Sequence, residues 1–161
     1  MTKKTKLRAV LIIHNIRSTY NVGAMFRTAE AAGVEKIYLT GITPMPLDRF
    51  GKERKDVAKS ALGSEKMVSW EYCKNINTLI LKLKKEKFSI IAVEQDKNSI
   101  DYKKFKSKQR MAFVMGNEVS GIEKSFLKKC DAILEIPMKG KKESLNVSVA
   151  AGIILFRILN V

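Results

Sequence analysis

Histidine is nearly absent from this sequence of 161 residues, which contains only His14, and cysteine is limited to Cys73 and Cys130. With one imidazole and no Cys/His cluster, a zinc site, a Ser-His-Asp triad and a catalytic histidine pair lack support, so no metal is expected. The cysteines lie far apart without a C-x-x-C pattern, which suits packing in a reduced compartment better than a disulfide framework. No apolar run approaches the roughly 18 residues of a membrane span. The lysine-rich start, Met1 to Arg8, leads only into Ala9 to Ile13, too short for a signal-peptide core, so a cytoplasmic protein without membrane contact is expected. Internal repeats and low-complexity linkers are also missing.

Acidic residues are scarce relative to basic ones, 16 against 31, for a net charge of +15. A balance this basic points to phosphate-rich partners, nucleic acid before membrane, through counterion release. Both halves are basic, so the charge belongs to the folded body, where a plainly solvated surface is the simpler alternative. Length and an apolar content of 45% fit one domain over 1–161, with residues 1–8 as a short basic tail.

The hydrophobic spacing predicts strands at Arg8 to Ile13, Lys36 to Thr40, Phe88 to Val93, Met111 to Met115 and Ala132 to Ile136. It predicts helices from Asn21 to Gly33, over Arg54 to Ser64, Ile76 to Lys87 and Ile122 to Lys129, and a closing apolar helix from Val147 to Leu159. Strands alternating with helices argue for an α/β fold, a mainly parallel sheet covered on both faces. Ligands of such sheets sit at the carboxyl ends of the strands.

Three strand-end segments carry candidate chemistry. In Asn15-Ile16-Arg17-Ser18-Thr19-Tyr20-Asn21-Val22-Gly23, Asn21 can cap a helix, and Arg27 six positions later could adjoin the same face and grip a phosphate, or simply snorkel. Gly23 would permit close backbone approach there. Gly116-Asn117-Glu118-Val119-Ser120-Gly121 is a glycine-bounded strand-to-helix turn that matches neither the G-x-G-x-x-G fingerprint nor the phosphate loop. In the third, Ile136 to Gly152, Ser144, Asn146 and Ser148 can cap or line a helix start, and Ala150, Ala151 and Gly152 allow close packing.

In order and spacing these segments resemble the three motifs of the SPOUT methyltransferases, in the TrmH or SpoU branch. The match rests on Asn21 and Arg27, on Gly116, Glu118 and Gly121, and on Ser144, Leu145, Asn146 and Ser148. The resemblance implies an α/β fold whose C-terminal segment is threaded through a deep trefoil knot. It implies S-adenosylmethionine as cofactor, with Glu94, Gly116, Ile136, Met138, Ser144 and Leu145 in cofactor-binding places. The implied activity is methylation of ribose 2′-hydroxyls in tRNA or rRNA, with Arg27, Asn21, Glu118, Ser144 and Asn146 as the catalytic set. It further implies a homodimer whose sites borrow groups across an interface, for which Val147, Ile154, Leu155 and Ile158 on the closing helix are candidates, core packing being the alternative.

Without the N-terminal RNA-binding extension of many relatives, RNA would be held by Arg17, Arg49, Lys52, Arg54, Lys55 and Lys59 and by Lys139, Lys141 and Lys142. The candidate stacking platforms are Trp70, Tyr20 and Tyr72. Two other readings stay open, a non-catalytic basic RNA-binding protein such as an assembly factor, and a nucleotide-binding enzyme of flavodoxin or Rossmann type.

Overall fold

The computed structural model describes residues 6–161, so positions 1–5 of the expected basic tail lie outside the described residues. Among the described residues, seven parallel strands form one sheet in the order β3-β2-β1-β6-β4-β7-β5. They are β1 (Arg8–His14), β2 (Lys36–Thr40), β3 (Ser69–Cys73), β4 (Ser89–Val93), β5 (Ile100–Asp101), β6 (Arg110–Met115) and β7 (Ala132–Glu135). The helices are α1 (Thr19–Ala31), α2 (Lys55–Ala61), α3 (Ile76–Lys85), α4 (Lys124–Leu127) and α5 (Val147–Leu159).

Side chains alternate across a strand, so β1 feeds two cores. Ala9, Leu11 and Ile13 pack with Val22, Met25 and Phe26 of α1, Val57 and Ala61 of α2, and Ile154, Leu155 and Ile158 of α5. Val10 and Ile12 pack with Leu79, Ile80 and Leu83 of α3 and with Phe126 and Leu127 of α4. Covered on both sides, β1 must be apolar without interruption, which is why its sequence reads as a run. The apolar positions of α3 recur at helical spacing while Lys82, Lys84 and Lys85 face outward in its last turn, beside the carbonyl end of the helix dipole.

Two strands escaped the hydrophobic pattern. Edge strand β3 is half exposed along its length, and β5 has two residues, so neither shows the buried run that marked the others. Helices over-read from sequence are cut by local backbone. Leu62 ends α2 and Lys87 follows α3 with positive φ, and α4 keeps only Lys124–Leu127 of the expected Ile122 to Lys129.

Helix α1 begins earlier than expected because Ser18, not Asn21, is its N-cap, the Ser18 hydroxyl accepting from the Asn21 amide N–H. Asn21 is left free to point elsewhere. Gly23 does allow close approach, but by α2 and not by a ligand: a β-carbon there would occupy the space of Ser60 Oγ and the Val57 carbonyl. Gly23→Ala is expected to cost about 1 to 3 kcal/mol by forcing α1 and α2 apart, read as a lower urea midpoint with an unchanged slope.

The chain steps outward from β1 to β3, returns to place β4, then inserts β6 between β1 and β4. The carboxyl ends of β6, β4 and β7 thus share a crevice at the point where strand order reverses. No helix among the described residues is long and apolar enough to cross a membrane.

Candidate active site

The turn after β6 is closed by its own backbone. Asn117 and Gly121 form a bridge, and Asn117 Oδ1 accepts from the Val119 and Ser120 amides at 2.9 Å each. Gly121 has φ +66° and stands against the Glu94 carboxylate, where a side chain has no room. Glu94, expected as a cofactor contact, ties this turn to the end of β4, accepting from Ile122 N at 2.9 Å and from Gln95 N at 2.8 Å.

Glu118 reaches from that turn to the start of α1. Its carboxylate accepts from Arg17 N at 3.2 Å, Ser18 N at 3.0 Å and Asn21 Nδ2 at 3.3 Å. A carboxylate only accepts, so Asn21 presents its amide nitrogen to Glu118 and its oxygen to Asn146 Nδ2, 3.2 Å away. Asn146, in turn, caps α5 through Oδ1, which accepts from Ser148 N at 2.9 Å, Ser148 Oγ at 2.6 Å and Val149 N at 3.4 Å. One relay, Asn146–Asn21–Glu118, therefore joins segments separated by 125 and 97 positions in the chain. Asn21 is buried, so these polar contacts replace water it no longer has.

Burial alone would lift the Glu118 pKa, but donation from Ser18, Arg17 and Asn21 outweighs it and holds the carboxyl below its ordinary value. A depressed carboxyl contributes stability that is full above its unfolded pKa, about 4.3, and is lost as pH falls through the lower folded value. Glu118→Gln is accordingly expected to remove part of the acid sensitivity of thermal unfolding below about pH 4.5, checked by melting curves across pH.

The relay forms part of the wall of a cavity of about 700 Å³, within the range of small-molecule sites. Every expected cofactor residue lines it: Glu94, Gly116, Ile136, Met138, Ser144 and Leu145. So do Asn21, Glu118 and Asn146. Val93, Met115 and Leu134 add apolar wall, and Gln95 Nε2 closes one side by donating to the Glu143 carbonyl. Although the protein is strongly basic, the residues lining the cavity include Glu94, Asp96, Glu118, Glu123, Glu135 and Glu143 against a single Lys124. Such a cavity favours a cation and disfavours a phosphate chain.

Arg27 is not in this cavity. Six positions beyond Asn21, it sits about 120° around α1 from it, since each residue turns 100°. It is exposed and lines a separate groove with Tyr20, Ala24, Lys59, Leu62 and Phe156. The interface candidates Ile154, Leu155 and Ile158 are instead buried in the core, and Val147 packs against it. The apolar groups that α5 leaves at the surface are Val149 and Phe156.

Of the expected RNA contacts, Arg17, Arg49, Lys52, Lys55, Lys59, Lys139, Lys141 and Lys142 are exposed, whereas Arg54 is half-buried and paired with Asp56 at 2.7 Å. Among the stacking candidates, Trp70 packs against the core and the Tyr72 hydroxyl is engaged by the Gly41 carbonyl at 2.8 Å, so only Tyr20 stands free. Sequence reasoning missed Phe50, which is 72% exposed, and Asn15, which holds three loops together. A phenylalanine in the charged stretch Asp48-Arg49-Phe50-Gly51-Lys52 was the available signal.

His14 is structural. Its ring is held by Thr40 Oγ1 at 2.8 Å and Asn15 Nδ2 at 3.1 Å and stacks on Phe126, and burial lowers its pKa despite the nearby Glu123. Burial pushes the Cys130 thiol up to about 11, which leaves it inert at neutral pH. The described residues contain no group of three or more His, Cys, Asp or Glu able to hold a metal.

The sequence matches the SpoU rRNA Methylase family over residues 8–156. A Staphylococcus saprophyticus protein described as a TrmH family tRNA/rRNA methyltransferase is 31% identical over 95% of this chain, which spans 59% of that relative's length. Among solved structures, the TrmH/SpoU tRNA modifying enzyme of A. aeolicus superposes with a TM-score of 0.81 at 30% identity, covering 97% of this chain and 77% of that one. The AdoMet-bound rRNA methyltransferase of Sinorhizobium meliloti gives 0.84 at 24% identity, covering 95% and 56%, and shares the fold. S-adenosylmethionine is the methyl donor of this kind of enzyme, and the acidic cavity suits its sulfonium and ammonium charges. With a family match running through nearly all of β1 to α5, the chain belongs to the SpoU rRNA methylase family.

Proposed function

We propose that this chain methylates a ribose 2′-hydroxyl of tRNA or rRNA with S-adenosylmethionine, in the cytoplasm and as a homodimer. The observation that carries the reading is the Asn146–Asn21–Glu118 relay in the wall of a cavity lined by acidic residues, in a protein of net charge +15. A cationic cofactor fits the cavity and a polyanionic substrate fits the surface around it. The Gly116 and Ile136 backbones, with Met138 and Leu145, would hold the cofactor, which supplies an electrophilic methyl group.

A ribose hydroxyl has a pKa far above neutrality and must shed its proton as it attacks. Ser144 and Asn146, which line the cavity, would orient that hydroxyl, and the relay keeps Asn146 from rotating away. Glu118 acts at one remove, by fixing Asn21. Guanidinium does not deprotonate near neutral pH, so Arg27 is no general base. It would hold the adjoining phosphate with two N–H groups and stabilise the developing alkoxide, while a phosphate oxygen or water takes the proton.

Because Arg27 lies outside its own chain's cavity, we assign it to the cavity of a second copy. Exposed Tyr20, Leu62, Phe156 and Val149 supply apolar surface for that contact. The same reading extends to the chain path, with the segment from β6 to α5 threaded as a trefoil knot. Labelled methyl transfer to unmodified tRNA and rRNA transcripts, followed by nucleoside mass spectrometry, tests the activity. A 2′-O-methylated nucleoside that disappears in Arg27→Ala is the expected result. Absence of both transfer and calorimetric cofactor binding would favour the non-catalytic RNA-binding protein.

A further inference from the structure

We propose that Phe50, with Arg49 lying on it, is a stacking post for an unpaired nucleobase of the RNA substrate. The inference rests on the proposed action on RNA at the same edge of the sheet.

Phe50 sits at the tip of a loop whose shape is fixed from within. Asp48 Oδ1 accepts from Phe50 N at 2.8 Å and from Lys52 N at 2.9 Å, while Asp48 N donates to the Lys52 carbonyl at 2.8 Å. Gly51 turns the chain at φ +75°, Leu47 bridges Glu53, and Arg54 N donates to the Pro46 carbonyl at 2.8 Å. The base of the loop is buried at Pro46 and Thr43, the Thr43 hydroxyl being bonded at Ile13 and Thr40. A phenyl ring 72% exposed on so well-braced a turn buries little apolar surface.

The charge around it selects the partner. The Arg49 guanidinium lies 4.7 Å from the ring centroid, leaving the opposite ring face for another planar group. Lys52 and Lys55 are exposed nearby, whereas Asp48 is consumed by the turn and Glu53 is paired with Lys66 at 2.7 Å. An aromatic ring among cations that have no acidic partner among the described residues is the arrangement that binds single-stranded nucleic acid, bases on the ring and phosphates on the charges. Bases inside a duplex do not offer that face.

Placement also favours the substrate of the candidate site. The loop leaves the carboxyl end of β2, and the Gly116 turn leaves that of β6, with β1 between them. Two inter-strand spacings amount to roughly 10 Å. Asn15 joins the two directly, its Oδ1 accepting from Ile42 N at 3.1 Å and its carbonyl from Asn117 Nδ2 at 2.7 Å.

The test uses the full chain and a short single-stranded RNA containing 2-aminopurine, with its duplex as control. Wild type is expected to quench the probe and to bind the single strand more tightly than the duplex. Phe50→Ala should weaken single-strand binding roughly five- to 150-fold, the span of one base stack, and abolish the quench. Phe50→Trp should restore both. Removing a neutral ring leaves the salt dependence of binding unchanged, whereas collapse of the loop would alter it by displacing Arg49 and Lys52. Equal affinity in Phe50→Ala and wild type, equal losses on single strand and duplex, or failure of wild type to bind the single strand would each overturn the proposal. A changed sedimentation profile in Phe50→Ala would overturn it too, by making the ring a protein contact. If the Phe50 effect holds but neither methyl transfer nor cofactor binding is found, the stacking post stands and the enzyme reading falls.

Discussion

Arg27→Ala and Asn146→Ala are each expected to lose methyl transfer by on the order of 10² to 10³, and a mixture of the two to regain it. The expectation follows from geometry. Asn146 lines the cavity of its own chain, whereas Arg27 lines a different groove across α1. If the catalytic centre combines Arg27 of one subunit with Asn146 of the other, a mixed dimer contains one centre with both residues intact. Loss of the α5 cap in Asn146→Ala costs about 1 kcal/mol, too little to unfold the chain. Arg27→Lys adds a second reading, because lysine keeps the charge and loses the paired N–H geometry, so it should remain well below wild type. Subunits exchanged by mild denaturation and assayed on RNA decide the matter. A mixture as inactive as its parents would show that Arg27 does not act across an interface.

Asn21→Asp is expected to lose about 3 to 5 kcal/mol of stability at pH 7 and to recover part of it on acidification. Asn21 is buried and its amide nitrogen donates to Glu118 across 3.3 Å. Aspartate puts a second carboxylate there with no donor between the two. Like charges at that distance repel by roughly 5 kcal/mol at an effective dielectric near 20, so one group takes up a proton and its folded pKa rises. The folded state then binds more protons than the unfolded one between about pH 4 and the raised value, and stability increases as pH falls through that window. Wild type behaves oppositely, because its Glu118 is held below the ordinary value. Urea titrations at several pH values would show the two slopes. Parallel slopes would mean that Asn21 and Glu118 are not coupled.

Strands β1, β2, β4, β6 and β7 were legible because burial on two faces demands unbroken apolar runs, and α1, α3 and α5 because burial on one side demands helical spacing. Strand β3 was not, since an edge strand needs only partial burial. The three motif segments were recognisable as residue types in order, and the cofactor set, Glu94 included, lines one cavity. Their roles were less legible. Asn21 reads as a cap, and only Ser18 taking that position shows that it is the middle of a relay.

By itself, then, the chain's order of residues determined the α/β class, the basic surface, the family and the identity of the cavity-lining groups, because composition, periodicity and motif spacing are properties of a linear string. Tertiary structure alone decided that Asn146, Asn21 and Glu118 touch, that Arg27 faces away from them, and that Phe50 stands exposed beside Arg49. Each of these depends on which face of a helix meets which neighbour, or on loops closed by hydrogen bonds between distant positions, and separation along the chain does not say which distant segments meet.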